Sequence, residues 1–320
     1  MNFSRRTILV ATALTIVPLA PATVLAADHT IAGIVFQQDQ YFRGVQIGME
    51  NAAKAASAEL LSGNSDGKLE KETQLIDTYI ARGVGAIVVA PLSGDGSMAA
   101  IKKARDAGVH VVTYGTRVNG DLSEASVLSS DSDLGSTTGK AAKEFLATLA
   151  GGGKVKIATL AFKSQLAEQS DARVNGFLDQ VKDQVEVVAQ QDAWLAEKAI
   201  AVASDILTAH PDVQVIYAAN EGGTIGAVQA VKKAGLEGKV FVFGIDGSEQ
   251  LAKMLLDQDN VLQAVTAQQP LEVGRQAVDA AIALIDGKAV EASVTVPVLG
   301  LNRADKAGVD KFLEDLKQMM

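Results

Sequence analysis

Seven short runs dense in Val, Ile, Leu and Ala recur along the chain: Ile31–Phe36, Ala86–Ala90, Val111–Tyr114, Val155–Leu160, Val213–Ala218, Val240–Ile245 and Leu262–Ala267. Continuous apolar runs of this length suit strands buried on both faces. Between them lie segments whose apolar residues return every three or four positions, which predicts helices over Arg43–Ala58, Gly96–Ala107, Leu134–Leu149, Ala172–Gln184, Leu195–Ala209, Gly223–Ala234, Glu249–Leu256 and Leu271–Asp286. Strand and helix in alternation predict parallel sheets with right-handed crossovers. Turn chemistry marks the junctions at Arg82-Gly83, Ala107-Gly108, Gly151-Gly152-Gly153, His210-Pro211-Asp212, Ala234-Gly235 and Asp286-Gly287.

The pattern falls into two comparable halves, one up to Ser130 and one from Asp131 to Gln268. A further strand and helix, roughly 270–296, then return to the first half, and the tail returns to the second. The expected fold is α/β: two doubly wound parallel-sheet lobes joined by a three-crossover hinge. Residues 27–130 with 269–296 form the first lobe and 131–268 with 297–320 the second. Several crossings favour lobes that bend and reclose without drifting apart.

The first 26 residues do not belong to this pattern. Arg5-Arg6 precedes an acid-free apolar stretch from Thr7 to Leu25 that ends in small residues at Val24-Leu25-Ala26, the form of an export signal. Ser4-Arg5-Arg6-Thr7-Ile8-Leu9 is close to a twin-arginine signal, although Ile8 and Val10 depart from it, and an ordinary secretory signal is the alternative. Pro18 and Pro21 argue against a membrane anchor. Removing this segment takes away two arginines and no acids, so the formal charge goes from −9 to −11. That balance, without a basic stripe, excludes nucleic acid as a natural partner. With no cysteine in an exported chain, stability must come from the apolar core alone.

The residues that follow the strand runs are where chemistry would gather. Asp39-Gln40-Tyr41-Phe42, Tyr114 to Arg117, Asn220-Glu221, Asp246 and Gln268 each stand just past a run, and ligands of open parallel sheets sit beyond the carboxyl ends of the strands. Planar polar side chains bind hydroxyls in pairs and aromatic rings cover C–H faces, so the set suits a polyhydroxylated small molecule. Arg173 and Asp246 are expected to oppose one another across the pocket. No G-x-G-x-x-G follows the first strand, and Asn64-Ser65-Asp66-Gly67 is a turn lacking a full calcium-ligand series. His29, His110 and His210 are too scattered for a metal site or a triad, so no catalytic residue, metal or cofactor is expected.

Taken in order, Asp39-Gln40-Tyr41-Phe42, Ser130-Asp131, Arg173-Val174-Asn175-Gly176-Phe177, Thr208-Ala209-His210-Pro211-Asp212, Asn220-Glu221, Phe243-Gly244-Ile245-Asp246-Gly247 and Ala267-Gln268-Gln269-Pro270 resemble the periplasmic sugar-binding proteins of ABC importers. The branch is the ribose-binding-protein-like one, with the type I two-lobe fold, and the resemblance covers nearly all of the mature chain. It implies ligand contacts from Asp39, Tyr41, Phe42, Ser130, Arg173, Trp194, Asn220, Asp246 and Gln268, with Trp194 and Tyr41 or Phe42 sandwiching the ring. Two positions depart from the family. Tyr114-Gly115-Thr116 stands where ribose binders have Asp-Arg, with Arg117 one residue late, and Ala90 replaces an Asn before Pro91. These losses argue against ribose itself and bring Gln37, Gln38, Ala90, Gly115, Thr116, Arg117 and Arg43 into consideration. The implied function is capture of a monosaccharide or sugar alcohol in the periplasm, by a monomer, for delivery to a membrane permease, with a chemoreceptor as a further partner. The alternatives are a sugar-acting enzyme using Asp246 with Asp39 or Glu221, and a sensing-only protein for chemotaxis or quorum signals.

Overall fold

A computed structural model describes residues 29–38, 40–149 and 153–317. The export-signal reading, Asp39 and the Gly151-Gly152 part of the glycine turn lie outside them. The elements run β1 (Thr30–Val35), α1 (Gln40–Ala55), β2 (Glu59–Asn64), α2 (Leu69–Ala81), β3 (Ala86–Val89), α3 (Met98–Asp106), β4 (His110–Tyr114), β5 (Ala125–Ser129), α4 (Asp131–Leu149), β6 (Val155–Ala161) and α5 (Ala167–Val181). They continue with β7 (Val185–Asp192), α6 (Ala196–Ala209), β8 (Val215–Ala218), α7 (Glu221–Lys233), β9 (Phe241–Ile245), α8 (Glu249–Leu256), β10 (Leu262–Ala267), α9 (Pro270–Ile285), β11 (Ser293–Val296), β12 (Leu299–Asn302) and α10 (Lys306–Lys317).

Two six-stranded sheets result, with orders β11-β5-β4-β3-β1-β2 and β12-β10-β9-β8-β6-β7. All pairings in the first are parallel. The second is parallel except for β12, which runs antiparallel on the edge against β10. β1, β3, β8 and β9 lie inside their sheets and are buried almost throughout, which is why they read as unbroken apolar runs.

The chain passes between the sheets three times: from β5 into α4, from β10 into α9, and from β11 to β12. α9 packs on α1, β3, β4 and β5, so it belongs with the first sheet, whereas α10 packs on α8 and β12. Two of the three crossings are tied together, since Gln269 Nε2 donates to the Pro297 carbonyl at 2.7 Å. Each lobe has helices on both faces of its sheet, with separate apolar clusters above and below it. Among the described residues no helix is long and apolar enough to cross a membrane.

Six elements were not anticipated from the pattern: the strands β2, β5, β7 and β12, with the helices α2 and α10. β2 and β7 are sheet edges with many half-buried and exposed positions, and β5 is only five residues long, so none forms a long apolar run. α2 opens on an exposed Leu69, and its buried apolar residues, Ile76 and Tyr79, come late, behind a first turn carrying Glu70 and Glu72. α1 also begins earlier than Arg43, because Tyr41 and Phe42 occupy its first turn and not a loop.

Candidate functional site

A cleft of about 380 Å³ opens between the carboxyl ends of the two sheets. One wall comes from the first lobe. Phe36 follows β1, Tyr41 and Phe42 come from the first turn of α1, and Gly115 and Thr116 follow β4. The rings form one group: Phe42 lies 4.3 Å from Phe36, 5.1 Å from Tyr41 and 6.4 Å from Tyr114, centroid to centroid. Phe42 is only 6% exposed, so it backs this wall while the half-buried Tyr41 fronts it. Gly115 has φ +70, a conformation that glycine enters freely, and this turns the chain straight from β4 into Thr116.

The opposite wall is built around Arg173, 8% exposed, on α5. Its Nε donates to Asp131 Oδ1 at 2.8 Å, its Nη1 donates to the Ala219 carbonyl at 3.1 Å, and Nη1 stands 4.0 Å from Asp246 Oδ2. The guanidinium also lies over the Phe162 ring at 5.1 Å. Tyr217, stacked on Phe177 at 3.9 Å, holds the helix from below by donating its hydroxyl to the Arg173 carbonyl at 3.2 Å. The pairing with Asp131 requires α4 and α5 to come very close. A side chain at Gly135 would put its Cβ 2.0 Å from the Arg173 carbonyl oxygen, so only glycine permits the approach.

Burial lifts the Asp131 carboxyl above the usual carboxylate range against the pull of Arg173, and Asp246 adds to the rise. Burial opposes the Arg173 charge, yet Asp246 and Asp131 outweigh it and hold the guanidinium more firmly protonated than usual. Both groups bind their proton more tightly than usual, which favours the charged form of Arg173 and the neutral form of Asp131: the guanidinium has two carboxylates to compensate it, whereas Asp131 shares its one cation.

Asp246 follows β9 with φ +80, a left-handed conformation that costs a non-glycine residue about 1–3 kcal/mol and persists only where its surroundings enforce it. Its N–H donates to the Thr266 carbonyl at 2.9 Å, and its Oδ2 accepts from the Glu221 N–H at 2.9 Å. The carboxylate therefore sits at the start of α7, where main-chain donors favour negative charge.

Of the residues expected from the sequence, the structure brings Tyr41, Phe42, Gly115, Thr116, Arg173, Asp246 and Gln268 onto the cleft, with Gln37 beside them. Ser130, Gln38, Arg43, Ala90, Arg117, Trp194 and Asn220 do not line it. The Asn220 side chain caps α7, accepting from Gly223 N–H at 3.1 Å, and donates to the Trp194 carbonyl at 2.9 Å. Trp194 itself is half-buried against the β6–β8 side of the second lobe. Ala90 is buried in the first core, and Arg117 turns away to donate to Ser293 Oγ at 2.6 Å. Arg173 and Asp246 do not face one another across the pocket, as the sequence suggested; both stand on the second lobe's wall. Asp131, Gln165, Gln169 and Phe312 reach the cleft without having been singled out. Asp131 had a signal, since it follows Ser130 at the first crossing and opens α4.

Comparison with known proteins places this geometry in context. The model of a family described as "periplasmic binding protein domain" matches residues 33–289. The chain is 30% identical to the ABC transporter periplasmic-binding protein YphF of Escherichia coli over 275 residues, covering 83% of this chain and 82% of the relative. It is 28% identical to the ribose import binding protein RbsB of Bacillus subtilis over 81% of this chain and 82% of that protein. A solved ABC transporter periplasmic solute-binding protein from Actinobacillus succinogenes with bound D-allose superposes with a TM-score of 0.77 at 26% identity, covering 88% of this chain and 99% of that one.

Proposed function

The chain belongs to the periplasmic binding protein domain family, and from that premise we propose that it is the solute-binding component of an ABC importer, taking a monosaccharide or sugar alcohol. The observation that carries this reading is the pairing, across one cleft, of an aromatic wall with a charged group in which the buried Arg173 stands between the half-buried Asp131 and Asp246. Tyr41 covers a C–H face of the ligand while Arg173, Asp131, Asp246 and Gln268 bond its hydroxyls. Thr116 and Gln37 complete the first wall, and the family resemblance adds Asp39 as a ligand contact. Ser130, Asn220 and Trp194 act from behind, through the neighbours they hold. Ligand docks on one lobe, and bending at the three crossings brings the other onto it, because only the closed form makes both sets of contacts.

Residues 27–130 with 269–296 move as one lobe, and 131–268 with 297–320 as the other. The first 26 residues direct export, by the twin-arginine route, to the periplasm, where the protein acts as a monomer. The closed pair of lobes is what the permease recognises, and a chemoreceptor is a second reader of the same state. The relatives are named as binding proteins, so ligand is expected to leave unchanged.

The test is a thermal-shift screen of the mature protein, freed of carried-over ligand, against pentoses, hexoses, deoxysugars and four- to six-carbon polyols, D-ribose and D-allose among them. Ligand at a hundredfold over Kd stabilises by about 2.7 kcal/mol, a shift of several degrees at this size. A shift confined to one stereochemical series supports the reading. A flat response across the panel overturns it, and consumption of the ligand on long incubation would turn it toward an enzyme.

A further inference from the structure

The turn that presents Asp246 to the cleft is pressed from two sides. Gly247 follows Asp246, and a Cβ built on it would stand 2.3 Å from the Ala267 Cβ and 2.8 Å from the Phe312 Cζ. The backbone at 247 therefore lies directly on the end of β10 and on the Phe312 ring, with no room for any other residue. Ala267 is a near neighbour in fold and sequence. Phe312 is not: it comes from α10, the last described helix, reached only after the third crossing between lobes. Its ring borders the cleft but is only 8% exposed, so most of its surface packs against protein.

The need for such support is local. Asp246 holds φ +80 without being glycine, and a residue in that conformation relaxes unless packing forbids it. The hydrogen bonds to Thr266 and from Glu221 restrain the N–H and the carboxylate, but neither restrains the peptide that leads into Gly247. Phe312 closes that direction. Ser248 then starts α8 by accepting from Leu251 N–H at 3.3 Å, which fixes the far end of the turn.

We infer that Phe312 is a positioning residue for the ligand site: by packing on Gly247 it holds the Asp246 carboxylate in its binding geometry. The C-terminal helix is thus part of the site, and the third crossing connects the hinge to the carboxylate through α10. The inference rests on the sugar-binding reading and adds to it a residue that acts through Asp246.

A double-mutant cycle tests it, read by calorimetric Kd with the sugar or polyol that most stabilises the parent protein in the screen above. Phe312→Ala is expected to weaken binding about tenfold and Phe312→Leu, which restores most of the volume, by less than about threefold. In the Asp246→Asn background, which retains measurable binding, Phe312→Ala is expected to change Kd by less than twofold, because the group it positions has already lost its charge. Circular dichroism and thermal melts establish that each variant is folded. Should Phe312→Ala fail to fold, Phe312→Leu and Phe312→Met, which thin the ring contact while keeping most of its volume, run the same cycle. Equal losses in both backgrounds would overturn the inference, since the ring would then act on the ligand directly or on the whole fold. An unchanged Kd in Phe312→Ala would overturn it too. A parent protein that binds nothing in the screen would instead remove the reading beneath it.

Discussion

The two walls of the cleft are both made of βα junctions at the carboxyl end of a parallel sheet, yet they carry opposite chemistry. Among the described residues, the first lobe lines its side with rings, amides and small polar groups and places no charge there. Among those same described residues the charged side chains lining the cleft, Asp131, Arg173, Glu221 and Asp246, come from the second lobe. The charged wall is also the braced one: Arg173 is held by Asp131, Ala219 and Phe162, and its helix by Tyr217. Buried charges need fixed partners before the ligand arrives, whereas an aromatic face can close over a ligand with little penalty for imperfect angle. The difference teaches a division of labour in which the second lobe sets which hydroxyls are accepted and the first supplies cover.

The comparison breaks most severely at Arg173. Arg173→Ala removes the buried cation that two half-buried carboxylates share, a loss of about 2–3 kcal/mol, below the ~3–5 kcal/mol of a fully buried pair because both carboxylates reach solvent. A loss of that size in guanidinium chloride denaturation, together with absent ligand binding, is expected; a parent-like midpoint would show that the charged wall is not braced as described. Asp246→Asn keeps the shape and the bond from Glu221 N–H but removes the charge. Affinity should fall by about tenfold to a hundredfold with little change in stability, because hydrogen bonds to a charged group contribute about 1.5–3 kcal/mol.

Asp131 sharpens the comparison through pH. Its carboxyl stands above the usual range in the free protein, chiefly from burial. A ligand hydroxyl donating to it favours the ionised form, so the pKa drops on binding. Affinity is then full above the raised free-state pKa and declines as pH falls through it, at a higher pH than for an ordinary aspartate. For stability the sign is reversed. The folded state binds this proton more tightly than the unfolded chain, so its contribution is present at low pH and is lost as pH rises through the folded pKa. Asp131→Asn should accordingly weaken and flatten the pH profile of binding while leaving the unliganded melting temperature unchanged or higher. Calorimetry between pH 7 and 4 checks both parts, and a profile identical to the parent's would remove Asp131 from the ligand's contacts.

The smallest effects belong to the first wall. Tyr41→Ala should lower affinity by up to roughly tenfold, the worth of one aromatic face at about 0.5–1.5 kcal/mol, with stability intact. Arg117→Ala should leave affinity within twofold, since that guanidinium is committed to Ser293. If the order of these two were reversed in a binding assay, the arginine would have to swing into the cleft on closure.

Much of this was legible before any coordinates. The apolar runs of β1, β3, β4, β6, β8, β9 and β10 stood out because strands inside a sheet are buried on both sides, and the residues after them were candidates because that is where parallel sheets bind. What escaped was the contact made sideways between helices. Asp131 begins a helix and Arg173 sits six residues into another, 42 positions later, and nothing in either segment states that Gly135 will let them touch. The tail that becomes α10 stood outside the helical pattern, and nothing in Phe312 itself marks a ring that packs on a turn 65 residues earlier.

The sequence by itself determined the alternation of strand and helix, the division into two similar halves and the strand ends at which a site would form, because periodicity and turn chemistry are properties of neighbouring residues. Only the tertiary structure decided which polar side chains face the cleft, that one guanidinium is shared by two carboxylates of its own lobe, and that the last helix closes on Gly247. Those outcomes depend on how near two helices come and which way a turn is forced. Such distances are set by close packing among residues far apart in the chain, and no local pattern records them.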